Sequence, residues 1–143
     1  VIDFTQAYIP PSPSAYLGLA EVDVETAVIA AQTGTIQAAH VASMEGAALV
    51  EYATPDETIA AVRGGEADAV LADKDFLVPI AEAEAALMFI GPDVPLGGGI
   101  GMGVRESDGG LKDTFDAVIA EMKEDGSLNA MIVEWFGEDA QTW

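Results

Sequence analysis

Short apolar runs, each followed by a helix-starting signal, constrain this chain more than any other feature of its sequence. Residues 27–31 are apolar over too short a span for a helix and read as a buried strand. They lead through Gln32-Thr33-Gly34 into an Ala-rich helix over 35–44. Residues 48–52 are the next strand, and Thr54-Pro55-Asp56-Glu57 then opens a helix: Thr54 caps, Pro55 fits the first turn, and Glu57 stands where a capping box needs its carboxylate. Ile59 and Val62 share one side of that helix, which ends at Gly64-Gly65. Residues 68–72 read as a strand, 74–83 as a helix and 87–90 as a short strand that Gly91-Pro92-Asp93 breaks. Strands separated by helices of this length imply βαβ units, hence an α/β fold with a parallel-rich sheet of about five strands flanked by helices.

The flanks are read separately. Residues 1–5 are β-prone and closed by Pro10-Pro11-Ser12-Pro13, with no further strand expected before residue 27. After Leu96, Gly97-Gly98-Gly99 precedes a glycine-interrupted strand or hinge over 100–104. Ser107 is expected to start a helix whose Leu111, Phe115, Val118, Ile119 and Met122 form one apolar stripe. Asp125-Gly126-Ser127 ends it, and a last helix carries Leu128, Met131, Ile132, Trp135 and Phe136. With no long repeat and no low-complexity linker, residues 1–143 are expected to form a single domain. Within it 1–5 is a short strand, 6–96 the core, and 97–143 a glycine-interrupted strand or hinge segment followed by the terminal helices.

Charge narrows the partners. The chain has 25 Asp+Glu against 5 Lys+Arg, a formal charge of −20, while half its residues are hydrophobic. There is ample apolar material to bury, so the acidity does not signal disorder. It would repel phosphate backbones and anionic lipid, and no stretch approaches the ~18 apolar residues of a membrane span; neither nucleic acid nor a membrane span is expected. The acids are dispersed along the chain, which fits a solvated surface better than steering toward one cleft. Cysteine is absent and His40 is the only histidine, removing disulfides, cysteine nucleophiles and multi-histidine metal sites. Neither G-x-G-x-x-G, a phosphate loop nor G-x-S-x-G occurs, and Asp73-Lys74-Asp75 lacks the glycine and distal Glu of a calcium loop. No catalytic residue, metal or cofactor is expected. Tyr8, Trp135 and Phe136 are assigned to core or interface.

Two places can carry a ligand, because open α/β sheets bind beyond the carboxyl ends of their strands. At Gln32-Thr33-Gly34-Thr35-Ile36-Gln37, a tight glycine turn would leave the amides of Thr35, Ile36 and Gln37 open to one carboxylate, with the Thr33 and Thr35 hydroxyls as further donors. The same residues also suit an ordinary turn with a threonine cap. Asp73 follows a buried strand and can hold an ammonium group, cap a helix, or do both. Together they match the two ends of a zwitterion such as a free amino acid.

The segments DFTQAYIP, AAQTGTIQAAH, ATPDETIAAVRGGEADAVLADKDFL and GGGIGMGVRESDGGLKDTFDAVIAEMKEDGSLNAMIVEWFG stand in the order seen in family 3 extracellular solute-binding proteins, the amino-acid receptors of ABC importers. The chain resembles the second lobe of that type II periplasmic binding fold, plus its C-terminal helices. The resemblance implies that Gly34, Thr35 and the amide of Ile36, with Gln37 nearby, receive the ligand carboxylate. Asp73 then takes the α-amino group, and Gln32 and Thr33 face the ligand side chain. Ile36 stands where threonine or serine is often found, losing a hydroxyl but keeping the amide. Residues 3–5 and 99–104 resemble the two hinge strands.

The same resemblance implies a non-enzymatic, periplasmic or extracellular protein that works with an ABC permease. The first lobe, which supplies a carboxylate-clamping arginine, is expected to be missing, and neither Arg63 nor Arg105 falls at the clamp position. Weak or absent binding by the chain alone is expected, with the C-terminal helices repacked or joined in a homodimer. The alternatives are a truncated or engineered half-protein of purely structural interest, or a dehydratase-like enzyme acting on cyclic prearomatic acids.

Overall fold

A computed structural model describes all residues 1–143. The backbone forms two compact units: Ser12–Gly97, and Val1–Pro11 together with Gly98–Trp143.

The 12–97 unit is an α/β layer built on a five-stranded sheet. Its elements are β2 (Ser14–Gly18), β3 (Val28–Gln32), α1 (Ile36–Ala42), β4 (Ala48–Tyr52), α2 (Pro55–Gly64), β5 (Ala69–Asp73), α3 (Lys74–Ala83) and β6 (Met88–Val94). The sheet order is β4-β3-β5-β2-β6. β3 pairs in parallel with both β4 and β5, whereas β2 runs antiparallel to its neighbours β5 and β6. All strands except β2 therefore point the same way, as a parallel-rich α/β sheet requires.

Successive strand residues face opposite sides of a sheet, and here both sides are buried. Ala15 and Leu17 of β2, Ala30 of β3 and Val70 of β5 pack in one cluster with Ile59 and Val62 of α2 and Leu77 of α3. The intervening Tyr16, Ile29, Ala69 and Leu71 pack in a second cluster with Val41 of α1 and Ile90 of β6. Double-sided burial is why these strands read as near-continuous apolar runs.

α2 starts as expected. Thr54 Oγ1 accepts from the Glu57 amide at 3.3 Å, Glu57 Oε2 accepts from the Thr54 amide at 3.0 Å, and Gly65 closes the helix in the left-handed region. Two expectations for this unit fail. Residues 14–18, where no strand was expected, form β2 inside the sheet, wholly buried and hydrogen-bonded on both edges. Nor does Gly91-Pro92-Asp93 break the chain: β6 runs through it to Val94 as a bulge. Ser14 faces Val94 while Tyr16 faces Ile90, so three residues of β6 lie opposite one of β2. Gly91, at φ 61°, takes the left-handed conformation this irregularity requires.

In the other unit, β1 (Ile2–Phe4) pairs antiparallel with β7 (Gly103–Arg105), and Ile9 bridges Ile100. A 3-10 turn over Glu106–Asp108 precedes α4 (Gly109–Asp125), which therefore begins two residues beyond Ser107, and α5 (Ser127–Phe136) follows. Ile119, Leu128 and Ile132 are buried against Tyr8, Ile9, Met102, Phe115 and Met122. The α4 stripe is only partly covered: Leu111 and Val118 are exposed, as are Met131, Trp135 and Phe136 of α5. Gln6 ties the N-terminal segment to α4, its amide donating to Asp116 Oδ1 and its Nε2 to the Asp116 carbonyl, both at 2.6 Å. Lys112 Nζ donates to Asp116 Oδ2 at 2.9 Å. The hydrogen bond from Lys112, and then that from the Gln6 amide, hold the Asp116 carboxyl below the usual aspartate value.

Two measurements check this architecture. Thr54→Ala removes one half of the capping box and is expected to lower stability by about 1 kcal/mol in chemical denaturation. For Asp116 the folded-state pKa lies below the unfolded one. Its stabilisation is therefore complete above the ordinary aspartate value of 3.8 and is lost as the pH falls through the folded value. The stability difference between wild type and Asp116→Asn should accordingly shrink as the pH drops below that range. A difference independent of pH would show that the carboxylate charge contributes nothing.

Candidate functional site

β3 and β5 are parallel neighbours, so their carboxyl ends emerge at the same edge of the sheet. That edge holds a pocket of about 230 Å³ whose lining includes Gln32, Thr35, Gln37 and Asp73, floored in part by Leu71 and Phe76. Four of the residues singled out from sequence thus meet in one cavity. Thr33, Gly34 and Ile36 belong to the turn beside it and are exposed.

The turn follows from local hydrogen bonding. Gly34 sits at φ 76°, a conformation that costs L-residues with a side chain roughly 1 kcal/mol or more. The Thr33 amide donates to the Tyr52 carbonyl of β4 at 2.9 Å, and the Thr35 amide to the Gln32 carbonyl at 3.3 Å. Thr35 Oγ1 donates to that same carbonyl at 2.7 Å and accepts from the Ala38 amide at 3.2 Å, capping α1. The amides left without a protein acceptor are those of Gly34, Ile36 and Gln37. This differs in one member from the sequence-based expectation. The Thr35 amide and hydroxyl are both engaged in shaping the turn, so neither is an open donor.

Asp73 is the last residue of β5 and the N-cap of α3, yet its side chain makes no capping bond. Its Oδ1 instead accepts from Gln37 Nε2 at 2.8 Å. The same Nε2 donates to Ser14 Oγ at 3.1 Å. Gln37 and Ser14 are both buried polar residues. This contact joins α1, β2 and β5 across 36 residues of sequence, and no local pattern announces it.

No lysine or arginine lines the pocket. Arg63 pairs with Glu84, Lys74 with Asp93 at 2.5 Å, Lys112 with Asp116, and Arg105 with Asp108 at 3.9 Å. Lys123 stands 3.5 Å over the Trp143 ring and donates to Gln6 Oε1. Each cation is engaged elsewhere, and the Asp73 carboxylate has no cationic side chain against it. Chemically, the edge offers open amides for an anion and an unneutralised carboxylate for a cation.

No protein-family model matches the chain. It is 61% identical, over its whole length, to a periplasmic His/Glu/Gln/Arg/opine family-binding protein from Silicibacter pomeroyi, solved in complex with lysine; the TM-score is 0.79 and 66% of that chain is covered. The arginine-binding periplasmic protein of Mannheimia haemolytica is 26% identical over an alignment of 140 positions that covers 94% of this chain and 59% of the relative. The Streptococcus pneumoniae amino acid ABC transporter substrate-binding protein AbpA, bound to L-arginine, is 21% identical and shares the fold, at a TM-score of 0.68 over 99% of this chain and 64% of its own. The chain thus spans 59% to 66% of the length of these proteins. No helix is long and apolar enough to cross a membrane. The relatives of this chain are therefore periplasmic binding proteins for arginine and other amino acids, and the chain corresponds to a portion of them.

Proposed function

We propose that this chain is the amino-acid-binding lobe of a periplasmic solute receptor serving an ABC importer. The observation that carries the reading is the sheet edge at which the parallel strands β3 and β5 end, the first in a turn with open amides and the second in the Asp73 carboxylate. The ligand's carboxylate takes the amides of Gly34, Ile36 and Gln37. Its α-ammonium takes Asp73, and Gln32 and Thr33 face its side chain. Such a receptor delivers its ligand to a membrane permease and needs neither a catalytic group nor a cofactor.

On this reading one wall of the site lies in the region of these relatives that the chain does not span. A shallow half-site buries little ligand, and lacking a bidentate arginine clamp costs about 1.5–3 kcal/mol. The chain alone therefore binds weakly. The exposed Trp135 and Phe136 support association of two copies through the C-terminal helices.

Titrating the 143-residue chain with L-lysine and with L-arginine, followed by amide NMR, tests the site. Shifts should centre on residues 34–37 and 73 and saturate in about the millimolar range or above. Asp73→Asn should weaken binding by about tenfold or more. Sub-micromolar affinity would overturn the half-site reading, and shifts confined to other regions would overturn the site. Light scattering should give twice the chain mass, and Trp135→Ala should return it to that of one chain.

A further inference from the structure

We propose that the Gln37 side chain is a positioning residue for Asp73, and that it serves the cationic end of the ligand rather than the carboxylate. This inference rests on the function proposed above and reassigns the role of Gln37 within it.

A glutamine amide nitrogen carries two hydrogens, and its oxygen carries none. Both hydrogens of Gln37 have protein acceptors, Asp73 Oδ1 at 2.8 Å and Ser14 Oγ at 3.1 Å. Gln37 is 7% exposed and Ser14 0%, so the amide is held at a buried corner where α1, β2 and β5 meet. Flipping it would set its oxygen against the Asp73 carboxylate, and two acceptors facing each other repel. The orientation with nitrogen toward Asp73 is therefore fixed.

With both hydrogens committed, the Gln37 side chain has no donor left for a ligand carboxylate. Gln37 Oε1 accepts from no protein atom and is not among the buried unpaired atoms, so it remains accessible at the pocket that Gln37 lines. It stands as a second acceptor for an ammonium group. Asp73, for its part, occupies a helix N-cap position without capping, so its own helix does not fix its side chain. The bond from Gln37 does, holding Oδ1 and leaving Oδ2 for the ligand. Gln37 thus has a divided role, its backbone amide for the anion and its side chain for the cation.

The test compares L-lysine with 6-aminohexanoate, which has the same chain, distal amine and carboxylate but lacks the α-amino group. Gln37→Met keeps the volume and removes the amide. It should weaken L-lysine binding by about tenfold, the worth of roughly one charge-assisted hydrogen bond, while leaving 6-aminohexanoate unchanged. A merely structural role would weaken both alike, and an unaltered ratio of the two affinities would overturn the proposal. Ser14→Ala removes only the second anchor and should move the ratio in the same direction by less, which covers the case in which Gln37→Met does not fold. A ligand-free measurement stands beside these. The side-chain amide signals of Gln37 should shift in Asp73→Asn, and signals insensitive to that change would also overturn the proposal. If Asp73→Asn alters the ratio and Gln37→Met does not, only this inference fails. If wild type does not tell the two ligands apart, the receptor reading fails with it.

Discussion

The parallel pairing of β3 with β5 is the constraint on which the candidate site depends. Ile29 lies opposite Ala69 and Ala30 opposite Val70, and this register sends Gln32 and Asp73 out at one edge. A one-residue slip would turn every side chain of the moved strand to the other face. It would exchange Ile29 and Ala30 between two cores that are already packed. A buried isoleucine such as Ile29 contributes about 1.5–3 kcal/mol, whereas the solvent-exposed Arg63–Glu84 ion pair is screened and adds little. The geometry of the pocket is thus set by the hydrophobic packing beneath it.

β2 reinforces that placement from the other side. It enters the sheet antiparallel between β5 and β6, and its first residue, Ser14, pairs with Asp73. The pairing brings the Ser14 hydroxyl to the Gln37 amide. A strand that belongs to no βαβ unit therefore supplies the buried acceptor that orients a residue at the pocket. The bulge at Gly91 lets β6 follow β2 past this point.

Much of this was legible in the sequence where the signal is local. The Thr54–Glu57 box, the Gly64-Gly65 stop and the boundaries of β4 and α3 depend on residues within a few positions of one another. β2 was not legible: Ser14–Gly18 is buried on both faces, so it has no alternation, and the prolines before it read as a turn. The β6 bulge escaped for a related reason, since Gly91-Pro92-Asp93 is a breaker in isolation and becomes strand only through its partner. At the site, the turn at Gly34 and the acid at Asp73 were readable as types. The partner of Gln37 was not, because it lies 36 residues away and is brought near only by the β3–β5 pairing.

The charge of −20 bears on the pocket less than its size suggests. At physiological ionic strength, exposed charges are largely screened beyond about 8 Å, so acids spread over the surface add little to the potential felt by a ligand. What matters is which charges stand within that distance unpaired. The chain's few cations each hold a nearby acid or an aromatic ring, and none is placed to neutralise Asp73. The surplus of acid elsewhere has a local effect as well, since it leaves no lysine or arginine in excess to compete for that carboxylate. On the proposed reading, an ammonium group arriving at the sheet edge would meet an acceptor hydrogen-bonded to Gln37 and without a resident cation to displace.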